Sequence, residues 1–283
     1  QKRKTFQEAE EQKRKTILAE KGNLELVHKI EQLRGGMRFA GVDWEAMDVN
    51  ACDIGFREGN NIFCLHRSLL LRYLNQGTGS CVLYCRPDFK KQWQFLEEAV
   101  CKEGCLGYIL GPPGTGKTTT TLAFLHSLDV KEWSVMCIRL WGLRQAQILQ
   151  VVDGKGRTCQ VDLITDSITR TKSVLQDWPG NGRKFLFLDG FLHTSDHHQM
   201  IKGACCDWRD LDRDHRRLLV TTSLGSRGKT KPEEEAKDKA RELVVYSWTL
   251  EEYREAIGYD VLYSSVADLL NDETTSEREA CVE

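Results

Sequence analysis

Apolar and polar positions along this chain follow two regimes. Residues 1–34 are strongly charged, with Leu26, Ile30 and Leu33 at helical spacing, a pattern that predicts a solvated helix ended by Gly35-Gly36. From Leu106 onward the rhythm changes to short β-rich runs: Leu106 to Leu110, Trp133 to Leu140, Cys159 to Ile164, Phe185 to Leu188, Leu218 to Thr222, and Leu243 to Tyr246. Stretches of helical or loop character separate them. Runs apolar on both sides, alternating with such stretches, predict an α/β fold: a parallel sheet with helices on both faces.

Between these regimes, residues 51–105 read as mostly helical and packed on the core. Leu69, Leu70, Leu71 and Leu74 suggest a short buried helix, Gly77-Thr78-Gly79-Ser80 a loop, and Pro87-Asp88 a helix start. Phe89, Trp93, Leu96 and Val100 then recur at helical spacing and read as core. Beyond the last run, Thr249-Leu250-Glu251-Glu252 is a capping box that opens another helix. The charged stretch from Gly225 to Lys239 reads as a loop. Four segments follow: 1–50, a charged helical extension; 51–105; a core over 106–248; and 249–283, the start of a helical lid or C-terminal segment.

Composition narrows the picture modestly. The 283 residues carry 40 basic and 42 acidic side chains, a formal charge of −2, so nothing draws the whole surface to nucleic acid or membrane. No apolar run approaches the roughly 18 residues of a membrane helix, and the chain is expected to be soluble. Because it starts at Gln1, upstream sequence, including any export signal, is expected to be missing. The 11 cysteines read as reduced intracellular residues. Cys81, Cys85, Cys101 and Cys105 have the spacing of two ligand pairs, but fall on elements that do not converge, so zinc is disfavoured. The same holds for His193, His197, His198, Cys205 and Cys206, which nothing orders around one point.

The chemistry is concentrated in Gly111-Pro112-Pro113-Gly114-Thr115-Gly116-Lys117-Thr118, which fits Gly-x4-Gly-Lys-Ser/Thr between a strand and a helix that begins near Thr119. Glycines let successive N–H groups turn toward an anion, and the helix aims its positive end at the same point. Residues 111–119 are therefore predicted to cradle the phosphates of a nucleoside triphosphate. Lys117 would reach the β- and γ-phosphates, and the Thr118 hydroxyl would hold Mg²⁺. The strand Lys184 to Leu188 ends in Asp189, a second metal-organising candidate. Gly190 follows where many hydrolysing relatives place a water-polarising Glu, so the base is unassigned. His193 is the nearest titratable residue downstream, though a structural role suits it better. The run Arg217 to Ser223 ends in hydroxyls, making Thr222 or Ser223 candidate sensors of the γ-phosphate. Arg227 and Lys229 are candidates to neutralise charge on the transferred group.

Several of these pieces together carry a resemblance: the phosphate loop; Leu188-Asp189-Gly190-Phe191; Arg216 to Ser223 with Ser226-Arg227-Gly228-Lys229; and Tyr246-Ser247-Trp248-Thr249-Leu250-Glu251-Glu252-Tyr253. From about Cys81 to Ala256 the chain resembles the nucleotide-binding region of the Crinkler effectors of oomycetes and fungi, related to the retrotransposon hot spot proteins of trypanosomes. The resemblance implies a secreted effector that acts in the host nucleus, often promoting cell death, with a translocation header upstream and in many members a nuclease-like domain downstream. It also implies a host nuclear protein or DNA as partner. Lys2-Arg3-Lys4 and Lys13-Arg14-Lys15 have the look of a two-part nuclear import signal, although a solvated helix face reads equally well. The Pro-Pro-Gly-Thr-Gly form of the loop is closer to AAA+ proteins.

The expectation is thus a P-loop NTPase of the additional-strand class, similar to AAA+ and STAND proteins, that binds ATP (GTP is less favoured) with Mg²⁺ and hydrolyses the β–γ bond. It carries a nucleotide, touches no membrane, and could oligomerise. Competing expectations are a non-hydrolysing nucleotide switch, a DNA-stimulated motor and a small-molecule kinase. Gly190 and the lack of a basic-aromatic groove speak against the motor.

Overall fold

In the computed structural model the chain divides into two compact units, residues 1–42 and 43–283. The structure describes residues 44–47, 61–66, 80–141, 145–162, 167–180, 182–228 and 238–266, all in the second unit. The expected N-terminal helix, both basic clusters, the helix at Leu69–Leu74 and Lys229 lie outside the described residues.

The described residues form a mixed α/β fold around a large, mostly parallel sheet. In chain order the strands are β1 (Glu45–Met47), β2 (Ile62–His66), β3 (Ser80–Tyr84), β4 (Leu106–Leu110), β5 (Trp133–Trp141), β6 (Gln145–Val152), β7 (Lys155–Asp162), β8 (Arg183–Phe191), β9 (Arg216–Thr222) and β10 (Ala240–Val244). The helices are α1 (Pro87–Phe95, continued by a wider π-type turn over Leu96–Lys102), α2 (Lys117–Ser127), α3 (Ser167–Gln176), α4 (Asp196–Asp210), α5 (Leu250–Ile257) and α6 (Asp260–Val266). The main sheet has eight strands in the order β1-β7-β6-β5-β8-β9-β4-β10, and β2 and β3 make a separate antiparallel pair.

Five neighbours, β5-β8-β9-β4-β10, run parallel. Side chains alternate across the sheet. Phe185, Phe187 and Leu219 face one layer, with Phe89, Leu96, Leu122 and Phe124 from α1 and α2 in the same cluster. Leu186, Leu188, Leu218 and Val220, equally buried, face the other. There α4, which contacts β8 and β9, supplies Ile201, Ala204 and Trp208, and Trp208 stacks on Trp178 with centroids 5.2 Å apart. Burial on both faces explains why these strands read as continuous apolar runs.

Residues 51–105 were expected to be mostly helical; their described part holds α1 with its π-type continuation and also β2 and β3, with Phe63 and Leu65 buried in the core. One expectation needs correction: the run at Cys159 is not a further parallel strand. It belongs to β7, which pairs antiparallel with β6, and β6 pairs antiparallel with β5. The turn is Asp153-Gly154, with φ of +49° and +71°, the mirror-image two-residue turn that suits the twist of a hairpin. The capping box at Thr249 is present as expected: Thr249 Oγ1 accepts from the Glu252 N–H, and Glu252 Oε2 from the Thr249 N–H at 2.8 Å.

Candidate functional site

Strand β4 ends at Leu110, and the chain turns through Gly111–Gly116 into α2. Gly116 precedes the helix with φ +88°, a left-handed conformation that a side chain resists. The first turn of α2 therefore starts at Lys117 and points its unpaired N–H groups into the loop. Gly111, Pro113, Gly114, Thr115, Gly116, Lys117, Thr118 and Thr119 line a cleft of about 420 Å³. Pro112 contributes through its carbonyl, which accepts from Thr115 Oγ1 at 3.0 Å.

Lys117 folds onto this loop. Its Nζ donates to the carbonyls of Gly111 (2.8 Å) and Pro112 (2.6 Å) and lies 3.3 Å from Thr115 Oγ1. Burial pushes its pKa below the ordinary lysine value, and the charge of Asp189 pulls it partway back. These partners, two carbonyls and a hydroxyl, are all neutral, so the half-buried charge is suited to an anion.

Asp189, 4% exposed, stands opposite at the end of β8. Its Oδ1 accepts from Thr118 Oγ1 at 2.7 Å, from a residue 71 positions away, and from Thr221 Oγ1. Arg139, from the end of β5, brings its Nε to 3.5 Å from Asp189 Oδ2. Strand β9 lies between β4 and β8, so the loop and the carboxylate close on each other across an intervening strand. The hydroxyl of Thr118 and the carboxylate of Asp189 are hard oxygen donors of the kind Mg²⁺ takes. Among the described residues no three His, Cys, Asp or Glu side chains gather as a metal shell.

The other expected residues divide. Thr222 and Ser223 line the cleft. The Thr222 hydroxyl is given to the Phe191 carbonyl at 2.6 Å, and Ser223 Oγ donates to Ser226 Oγ at 2.7 Å and accepts from the Ser226 N–H. Arg227 is a correction. It is buried away from the cleft, its Nε 2.6 Å from Glu242 Oε1 and its guanidinium 3.7 Å over the Tyr108 ring. His193 likewise does not line the cleft. Its N–H donates to the Ser226 carbonyl, and its ring packs where a Cβ at Gly228 would fall.

Two residues were missed. Arg139 is the one charge in the otherwise apolar Met136–Trp141 end of β5, a signal visible in the sequence. Thr221, 1% exposed, belongs to the strand face opposite to Thr222 and meets Asp189. Parity along β9 could have separated them only once the register was known.

Gly190 is explained by packing. Its φ is +79°, and a Cβ there would stand 2.8 Å from the Leu140 carbonyl oxygen. No acidic side chain fits at this position without moving β5.

No protein-family model matches the chain, and no curated protein matches it. Among solved structures it is similar to PCH-2 of C. elegans, at 13% identity and a TM-score of 0.34. The match covers 66% of this chain and 49% of that one, so the chain spans about half the length of PCH-2. A likeness this loose carries no weight for the site.

Proposed function

We propose that the chain is a P-loop NTPase of the additional-strand class that binds a nucleoside triphosphate with Mg²⁺ and hydrolyses its β–γ bond. The observation that carries this reading is the Thr118–Asp189 contact, 2.7 Å across 71 residues, at the mouth of the phosphate loop. The strand order supports the class: counted from the loop strand β4, the parallel strands run fifth, first, fourth, third, second across the sheet.

The residues divide the work as follows. Loop N–H groups and the α2 terminus hold the phosphates, and Lys117 exchanges its carbonyl partners for phosphate oxygens. Thr118 and Asp189 would hold Mg²⁺, which when bound neutralises charge on the β- and γ-oxygens. Water attacks the γ-phosphorus, the bond to the bridging oxygen breaks, and the water's proton leaves with the products. Arg139 and Thr221 fix the Asp189 carboxylate. Catalysis on these terms is positioning and charge stabilisation.

Gly190 favours a second reading, a non-hydrolysing switch, because the tight approach of Leu140 leaves no place for a carboxylate beside the water. Phosphate release with and without Mg²⁺ separates the two, comparing wild type, Lys117→Ala and Asp189→Asn. Mg²⁺-dependent release lost in both variants supports hydrolysis. Tight binding without turnover supports the switch. Stimulation by added DNA would instead revive the motor.

The motif resemblance supports a wider proposal, a Crinkler-like effector acting in a host nucleus. Residues 1–34 fused to a fluorescent protein should enter nuclei, and replacing the lysines and arginines of both basic clusters should abolish entry. Unchanged entry would sink the import-signal reading.

A further inference from the structure

The charged side chains that line the phosphate cleft are Lys117, Asp189 and Arg139. Arg139 is the register partner of Asp189 on the neighbouring parallel strand, so both side chains leave the sheet on the same face. That face is the one α2 covers, because Thr118 in its first turn bonds to Asp189. The Arg139 side chain is 15% exposed and lines the cleft, so a ligand can reach it. Its guanidinium carbon lies 6.0 Å from the ring centroid of Trp141, another lining residue.

Steadying a carboxylate does not by itself call for an arginine here. Thr118 and Thr221 already bond to Asp189, whereas Arg139 Nε stays 3.5 Å away. A normal N–H···O bond spans about 2.7–3.2 Å. The hydroxyls at the strand ends, meanwhile, have little to offer a terminal phosphate. Thr222 donates to the Phe191 carbonyl and Ser223 to Ser226 Oγ, while Thr118 and Thr221 donate to Asp189. A hydroxyl has one proton to give, and these are spent inside the protein. A guanidinium carries several N–H donors in a planar fork that fits a phosphate.

We infer that Arg139 is the γ-phosphate sensor: it bonds to the terminal phosphate directly and so separates a triphosphate from a diphosphate. The inference rests on the nucleotide reading above and adds to it the residue that distinguishes the two ligand states. It serves the hydrolysing enzyme and the switch alike, since each must tell them apart. A ligand held by the loop amides extends from α2 toward the strand ends, where its last phosphate adds charge beside Asp189. Lys117 sits back on the loop carbonyls, and Arg139 is the cation on the carboxylate's other side. A diphosphate stops short of it.

Calorimetry on the whole chain in EDTA tests this, with no metal to bridge phosphate and Asp189 and no turnover to blur the titration. The ligands are ATP, ADP and inorganic tripolyphosphate. Wild type should prefer ATP to ADP. In Arg139→Ala that preference should fall on the order of tenfold or more, with ADP affinity unchanged. Arg139→Gln, which keeps most of the stem, should give the same result and stands in if the alanine variant does not fold. A preference left unchanged, or ATP and ADP weakened equally, would overturn the assignment while leaving the phosphate site standing. The Asp189→Asn background closes the indirect route, because a neutral amide needs no cation beside it. Arg139→Ala should cost as much ATP affinity there as in wild type. A loss that vanishes in that background would make Arg139 a support of Asp189 alone and end the sensor reading. No binding by any of the three ligands, with or without Mg²⁺, would overturn the nucleotide reading and this with it.

Discussion

The two halves of the main sheet are built from the same kinds of residue but do different things. In the parallel half, β4, β5, β8 and β9 are largely buried on both faces while the edge strand β10 leaves Arg241 and Glu242 exposed, and those four strands deliver Arg139, Asp189, Thr221 and the loop at Gly111 to one edge. The antiparallel half, β6-β7-β1, buries five consecutive residues of β6, Ala146 to Gln150, alternates buried Cys159 and Val161 with exposed positions in β7, and lines none of the cleft. In a parallel array every strand ends on the same side, so chemistry accumulates there. An antiparallel hairpin sends alternate ends to opposite edges and serves here to widen the sheet.

Substitutions should separate the halves. Lys117→Ala or Asp189→Asn should lower turnover by on the order of 10²–10³ with little change in the thermal midpoint, measured as phosphate release beside an unfolding curve. Ile148→Ala, 1% exposed in the hairpin half, should reverse this: about 2–5 kcal/mol of stability lost by denaturant titration, with turnover per folded molecule unchanged. A turnover loss exceeding the unfolded fraction would show that the hairpin does shape the cleft.

Two pH effects refine the contrast. Burial alone would raise the Asp88 pKa, but the Tyr246 N–H bond and the Lys91 and Arg86 charges outweigh it and hold it below 3.8. Its stabilisation is therefore complete above the unfolded value, about 3.9, and lost as pH falls through the lower folded value. Asp88→Asn should flatten the acid limb of the stability curve in that window. Lys117 has its pKa lowered from 10.5, so in the free protein it loses its proton earlier than an exposed lysine. Tripolyphosphate affinity should fall as pH rises, starting below 10.5, and its binding there should take up protons. Cys85, pushed up to about 12 by burial, should resist alkylation at pH 8 until the protein unfolds.

Legibility followed the same divide. The parallel strands announced themselves because burial on both faces leaves uninterrupted apolar runs, and the loop and Asp189 because each sits where such a run stops. Strand β6 was hidden by Gln147 and Gln150, buried polar residues that break the apolar count. Its strongest signal was the Asp153-Gly154 turn rather than the strand itself. Arg227 was misplaced because a basic residue just after a strand of the site looks available, and only the Tyr108 ring and Glu242 show that it is committed elsewhere. Strand β3 was obscured because its first residue, Ser80, ends a Gly-rich stretch that reads as a turn.

The placement of β9 sets a mechanical constraint on the chemistry. Two inter-strand steps of about 4.8 Å separate the strand that feeds the loop from the strand that ends in Asp189. Thr221 occupies the midpoint and bonds to the carboxylate. The intervening strand acts as a spacer block: the jaw width is fixed by backbone pitch, whatever the length of the connections outside the sheet. Those connections are free to drift in length and sequence while the gap that grips the ligand stays constant.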